Sequence, residues 1–176
     1  QILNNAGRVE DSEALWSSLA DEEPVLRSFT LSRLVHSTVT RGAAGLADDY
    51  LTSLTQGQPK RSNMGLLVAV GDVLREAGRP DRAETRYQEA LSLARTGSVA
   101  DRARLGLAVI HEEAGDIDRA LSLYRDTQLQ FRSSAAFVEA RRAARRLTGV
   151  QGQSTFTRNQ YRDLVRQLRR TARYRI

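Results

Sequence analysis

The feature that most constrains the fold is a pattern that recurs along the chain. Three segments align without gaps from Gly7, Gly78 and Gly115, and a weaker copy begins at Gly42. Each aligned segment runs through an acidic and a small residue to an aromatic residue nine positions after the glycine. A period of about 20–50 residues indicates stacked repeats of one supersecondary unit. The aromatic positions lie 34, 37 and 37 residues apart, at Trp16, Tyr50, Tyr87 and Tyr124.

The pattern inside each segment predicts two helices joined by a tight turn. Glycine adopts the left-handed conformation that closes a helix at little cost, so Gly78 and Gly115 should end the first helix. An acidic residue in the first turn of the second helix suits the helix dipole, as with Asp118. A small residue such as Ala83 lets the helices approach closely, and Tyr87 lies on the same face four residues later.

These residues resemble the tetratricopeptide repeat, a helical hairpin of about 34 residues. The second full copy departs from that pattern at His111 and Thr127, and Arg95 stands where a helix-ending proline is usual. The 37-residue spacing resembles longer-period variants found in bacterial regulators and signalling adaptors. The best-matching copy contains Leu67, Val70, Gly71, Leu74, Gly78, Ala83, Tyr87 and Ala90, and the next keeps Leu107, Ala108, Gly115, Ala120 and Tyr124.

The expected fold is an all-α, right-handed superhelical solenoid with a basic C-terminal capping helix. One repeat domain should cover residues 1–176. Its start at Gln1, inside a half-repeat, predicts a fragment of a longer chain. The expected repeats are 1–20 (partial), 24–56, 63–96, 99–131 and 134–173 (degenerate, capping). After a helix tail at 1–5, helices are expected at 9–20, 25–40, 43–55, 63–77, 80–94, 99–114, 117–131, 134–148 and 157–173.

The resemblance implies a concave groove, lined by the first helix of each repeat, that holds a partner's peptide or helix. A chaperone's C-terminal carboxylate is disfavoured, because the Asn and Lys residues that clamp it in this family are absent at these positions. It stays open whether the charged positions are only a solvated face. The groove positions are Val68, Asp72, Arg75 and Glu76 in one repeat and Arg102, Leu105, Val109, Glu112 and Glu113 in the next.

Residues that could carry catalysis or hold a cofactor are few. The chain has no cysteine, which excludes thiol catalysis and thiolate metal sites. The single lysine, Lys60, follows a proline and belongs to no phosphate-binding loop. His36 and His111 are expected to be packed or half-buried, and Asp116 and Asp118 to begin a helix. A Ser-His-Asp triad stays open, but the sequence favours a protein that is not an enzyme and needs no cofactor or metal.

Basic residues are concentrated at the C-terminus. Residues 138–176 hold 11 arginines and two acidic residues, whereas residues 1–137 hold 16 basic and 19 acidic residues. Like charges four apart on a helix repel, so an acidic neighbour would relieve them. This end could be a solvated cap, or it could bind an acidic protein, a nucleic acid or an anionic membrane. The candidate anion-binding residues are Arg141, Arg145, Arg158, Arg162, Arg166 and Arg170.

Together these features favour a non-catalytic protein–protein interaction scaffold that binds a partner segment in its groove. One alternative is an adaptor that binds nucleic acid or an anionic membrane through the arginine-rich helices. Another is the sensor or docking arm of a larger regulator, enzyme or export machine. Self-association by end-to-end stacking also stays open. The lack of cysteine fits both cytoplasm and periplasm, with the cytoplasm slightly favoured.

Overall fold

The computed structural model describes the backbone of residues 2–56, 59–130 and 135–151, and the side chains of residues 8–56, 59–128 and 135–149. This part of the chain is helical and contains no strand, which confirms the all-α class. A short 3-10 turn, Arg61–Asn63, leads into the fourth helix. The helices are α1 (Ile2–Glu22), α2 (Arg27–Thr40), α3 (Ala44–Thr55), α4 (Met64–Glu76), α5 (Pro80–Leu93), α6 (Ser98–Glu113), α7 (Ile117–Gln130) and α8 (Ala135–Gln151).

The helices belong to two compact units, Gln1–Arg95 and Thr96–Ile176. In the first unit each helix from α1 to α5 packs against the next, and α2 also contacts α4. In the second unit α6 packs against both α7 and α8, and α7 packs against α8. Within each unit, helices that are neighbours in sequence are therefore neighbours in space, as a repeat of helical hairpins requires.

Three glycines form the turns inside the hairpins α2–α3, α4–α5 and α6–α7. Gly42, Gly78 and Gly115 have φ of +71°, +69° and +81°. After Gly78, the N–H of Arg79 donates to the carbonyl of Leu74 at 2.9 Å, and equivalent bonds follow the other two glycines. This is the Schellman closure of a helix C-terminus. A Cβ at these glycines would meet nothing within 4 Å, so the backbone conformation rather than space requires glycine.

Two expected helix ends are wrong. The sequence predicted a break at Gly7, but α1 continues from Ile2 to Glu22. It also predicted an end at residue 148, yet α8 passes through Gly149 to Gln151. Glycine permits a left-handed turn but does not force one, since a glycine inside a helix costs only about 1 kcal/mol relative to alanine. The helix expected at 157–173 lies outside the described residues.

The centre of the α4–α5 hairpin is the fully buried ring of Tyr87. This ring lies so close to Gly71 that a Cβ added there would be 2.7 Å from Cε1 and 2.9 Å from Cδ1. In the second unit, Tyr124 is buried in one apolar cluster with Ala108 and Ala120. Small residues facing a large ring therefore form the core of both hairpins.

A buried ion-pair cluster joins α3 to α5. Asp48 is only 1% exposed, and its two carboxylate oxygens pair with the guanidinium groups of Arg82 and Arg86. Arg86 also donates to Glu89 at 2.8 Å and to Thr52 at 2.6 Å. Burial alone would lower the pKa of Arg86, but its hydrogen bonds and charge interactions with Asp48 and Glu89 outweigh burial and raise it. The pairing compensates a charge that would otherwise be costly to bury.

We expect Gly71→Ala to destabilise the first unit by about 1–3 kcal/mol, because the new methyl group overlaps the Tyr87 ring. The matched control is Gly65→Ala in the same helix, where a Cβ meets nothing within 4 Å. This control should be neutral or stabilising by up to about 1 kcal/mol. Urea unfolding of both variants checks the pair, and equal effects would contradict the close contact.

We expect Tyr87→Ala to lose about 3–5 kcal/mol of unfolding free energy, because it leaves a large cavity between α4 and α5. Tyr87→Phe keeps the ring and removes only the hydroxyl, which donates to Asp72 at 2.6 Å. That variant should lose about 1–3 kcal/mol. Chemical denaturation measures both losses. A loss below about 1 kcal/mol for the alanine variant would mean that the ring is not a core anchor.

Candidate functional site

A cleft of about 340 Å³ lies in the second unit between α6, α7 and α8. Its apolar lining is Leu105, Val109 and Ala143. Leu105 and Val109 are only partly buried, so a partner chain could contact them. Polar and charged side chains complete the lining: Glu112 and Glu113 of α6, Tyr124 of α7, and Glu139 and Arg146 of α8.

Glu112 connects the three helices around the cleft. One of its carboxylate oxygens accepts a hydrogen bond of 2.7 Å from the hydroxyl of Tyr124, and the other pairs with Arg146. The side chain of Glu112 is 20% exposed, whereas that of Arg146 is 64% exposed. The Glu112 carboxylate is therefore held on one side by the buried phenol of Tyr124 and on the other by the long, solvent-exposed side chain of Arg146.

Burial is the main reason that the pKa of Tyr124 is raised above its ordinary value. The hydrogen bond to Glu112 and the charges of Glu112 and Glu113 raise it further, while the charge of Arg146 lowers it. Tyr124 thus remains a neutral hydrogen-bond donor, which suits a role in orienting the carboxylate.

The structure brings four of the sequence-predicted groove residues, Leu105, Val109, Glu112 and Glu113, into this one cleft. Arg102, which was also predicted to line the groove, is an exposed residue that does not line this cleft.

The predicted groove residues of the first unit are placed differently. Val68 is only 1% exposed, so its predicted groove contact is wrong, because the side chain is part of the core. Asp72 is half-buried and accepts the hydrogen bond from Tyr87. Burial and this hydrogen bond raise the pKa of Tyr87, and the nearby Arg75 offsets only part of the rise. Glu76 is exposed, and one of its carboxylate oxygens lies 3.8 Å from a guanidinium nitrogen of Arg75.

Four cleft residues were missed by the sequence reasoning. The sequence indicates Tyr124 only as an aromatic position of the repeat, and it does not place Glu139, Ala143 or Arg146 in the groove. A signal for two of them was present: adding the 37-residue spacing to Arg102 and Val109 gives Glu139 and Arg146. Their pairing across helices, however, depends on how α8 packs on α6.

The structure describes both histidines and the two aspartates at the start of α7. His36 is exposed, which contradicts the expectation that it is packed, because it lies on the outer face of α2. The side chain of His111 is 12% exposed, 3.9 Å from a carboxylate oxygen of Asp116. Asp116 accepts the backbone N–H of Arg119, and Asp118 lies in the first turn of α7. Within the described ranges, no group of three or more histidine, aspartate or glutamate residues is arranged so that it could hold a metal ion.

The candidate anion-binding residues are only partly described. Arg141 and Arg145 are exposed on α8, and the guanidinium of Arg141 lies 5.9 Å from the ring centre of Phe137. The other four, Arg158, Arg162, Arg166 and Arg170, lie outside the described residues. Anion binding at this end stays a prediction.

The helices that the structure describes include none with the length and apolar content needed to cross a lipid bilayer.

Comparison with known families agrees with the hairpins. The model of the tetratricopeptide repeat family matches residues 69–136, a segment that includes most of α4 and all of α5, α6 and α7. Residues 69–136 of this chain therefore contain tetratricopeptide repeats. Such repeats generally mediate protein–protein interaction and are typically non-catalytic. No curated protein matches the chain by sequence.

We expect stability to fall at alkaline pH partly because of Tyr124. An unfolded tyrosine ionises near pH 10, whereas burial keeps the folded phenol protonated to higher pH. The contribution of Tyr124 to the free energy of unfolding is therefore complete below about pH 10. It is lost as the pH rises further, by about 1.4 kcal/mol per pH unit. Urea unfolding of Tyr124→Phe between about pH 9 and 11.5 should show a shallower loss than the unchanged protein. Identical slopes would contradict this role.

Proposed function

We propose that the second unit is a non-catalytic interaction module that holds a segment of a partner protein in the cleft between α6 and α8. The observation that carries this proposal is the convergence of Leu105, Val109 and Glu112 with Ala143 of the following helix. An apolar centre with a polar edge is the usual composition of a protein-binding surface.

The dimensions of the cleft favour a short segment over a folded domain. A volume of about 340 Å³ accommodates one or two side chains of a partner. A partner side chain buried on Leu105, Val109 and Ala143 would be stabilised by about 25 cal/mol for each Å² of apolar area removed from water. The partner is therefore an extended or helical segment that inserts an apolar side chain.

This proposal also fits a docking arm of a larger regulator, enzyme or export machine, since such an arm needs the same cleft. The adaptor function through the arginine-rich end is the second candidate, supported by the exposed guanidinium groups of Arg141 and Arg145. The two candidates use different residues, so substitutions separate them.

The test is selection of random peptides displayed on phage against the whole chain, followed by affinity measurement of the selected peptides by fluorescence anisotropy. We expect a shared sequence motif among the selected peptides and weakening by about tenfold in Val109→Gln, since a buried valine contributes about 1.5–3 kcal/mol. Val109→Gln removes apolar contact without changing charge. The matched control is Val99→Gln on the same helix, at an exposed position outside the cleft.

The control variant should bind within about twofold of the unchanged protein, because exposed substitutions away from the contact have small effects. Thermal melts verify that both variants are folded. Failure to enrich any peptide, or equal affinity of the Val109 and Val99 variants, would overturn the cleft as the binding site. If the selected peptides instead lose binding in Arg141→Gln/Arg145→Gln, the arginine-rich end would be the working surface.

A further inference from the structure

The charge of the cleft is opposite to that of the chain as a whole. Three carboxylates line it, at Glu112, Glu113 and Glu139, against one guanidinium, at Arg146. The lining therefore carries a formal charge of −2, from three negative groups and one positive group, in a chain of formal net charge +6. Local charge of one sign selects ligands of the other sign and determines their orientation.

The pair between Glu112 and Arg146 shows that the cleft already accommodates a guanidinium. Because the Arg146 side chain is 64% exposed, the pair contributes at most about 1 kcal/mol and is readily exchanged. Glu112, in contrast, is oriented by the hydroxyl of Tyr124 and is mostly buried. Because Glu112 is already oriented and its pair with Arg146 is weak, a cation from a partner can replace Arg146 at little cost in free energy.

The apolar floor specifies what should accompany that cation. Leu105, Val109 and Ala143 line the same cleft as Glu112. If a lysine or arginine of the partner pairs with Glu112, the residues next to it in the partner sequence would lie on this apolar surface. An aliphatic residue adjacent to the cation satisfies both parts of the cleft.

We infer that the cleft recognises a basic segment of a partner protein, in which a lysine or arginine takes the place of Arg146 at Glu112 and an adjacent aliphatic side chain packs on Leu105 and Val109. Glu113 and Glu139 add to the preference for positive charge. This inference rests on the proposed function and deepens it by specifying the chemistry of the partner.

The test uses two pools of fluorescein-labelled nonapeptides with a central leucine. Lysine or arginine flanks the leucine in one pool, and aspartate or glutamate flanks it in the other. We expect the basic pool to bind the whole chain about tenfold more tightly at about 50 mM salt, and this difference to shrink at about 300 mM salt as charges are screened. Equal affinities, or preference for the acidic pool, would overturn the inference.

Two double variants test the carboxylates. Glu113→Gln/Glu139→Gln should reduce the preference for the basic pool by about fivefold, through the loss of two cleft charges. The matched control, Glu10→Gln/Glu23→Gln, changes the net charge equally at exposed positions in the first unit and should keep the preference. An effect of equal size in both double variants would contradict a specific role of the cleft.

Arg146→Gln provides a test in the opposite direction. Removal of the Arg146 guanidinium should tighten binding of the basic pool by about threefold or more, because the peptide no longer has to displace Arg146 from Glu112. A misfolded variant would bind less, so tightening cannot arise from damage. Weakening of the basic pool in a folded Arg146→Gln protein, shown by an unchanged thermal melt, would overturn the inference.

The inference and the proposed function fail separately. A neutral or acidic motif from the phage selection, still lost in Val109→Gln, would overturn the basic partner and leave the cleft as the binding site. Sedimentation of the unchanged chain adds a further outcome. Self-association that disappears in Glu113→Gln/Glu139→Gln would overturn a separate partner in favour of a second copy of this chain.

Discussion

The contact of a tyrosine ring with a small residue on the facing helix is the constraint on which the α4–α5 and α6–α7 hairpins depend. In the first unit the ring of Tyr87 excludes any side chain at Gly71, and in the second Tyr124 is clustered with Ala108. The hydroxyl of each ring reaches a carboxylate of the preceding helix, at Asp72 or Glu112. The same side chain therefore fixes the helix separation and orients a polar group at the surface, so packing and site geometry cannot vary independently.

The two hairpins arrange this shared geometry with different charges. A shift of 37 residues aligns Tyr87 with Tyr124 but places Val109 at the position of Asp72 and Glu112 at that of Arg75. The carboxylate that accepts the phenol has thus moved by about one turn along the first helix. One scaffold can in this way present a guanidinium in one repeat and a carboxylate in the next without any change in its core.

How far the sequence predicted the structure depends on how local each feature is. The turns at Gly42 and Gly78 were predictable because a left-handed residue after a periodic apolar helix is a local requirement. The same reasoning failed at Gly7, where helix continuation costs little. The groove positions were expected only from the resemblance to the repeat family. The pairing of Glu112 with Arg146 could not be predicted, because it depends on how α8 packs against α6.

The ion-pair cluster at Asp48 affects how the first unit comes apart. Its carboxylate belongs to α3, and both arginines that compensate it belong to α5. Separation of these helices would deprive the Asp48 carboxylate, which is only 1% exposed, of its counter-ions before water could solvate it. Nearest-neighbour coupling of this kind makes repeats melt as a block rather than one by one. The stretch from α3 to α5 should therefore exchange its amide hydrogens as one cooperative group, with a common opening free energy across two successive hairpins.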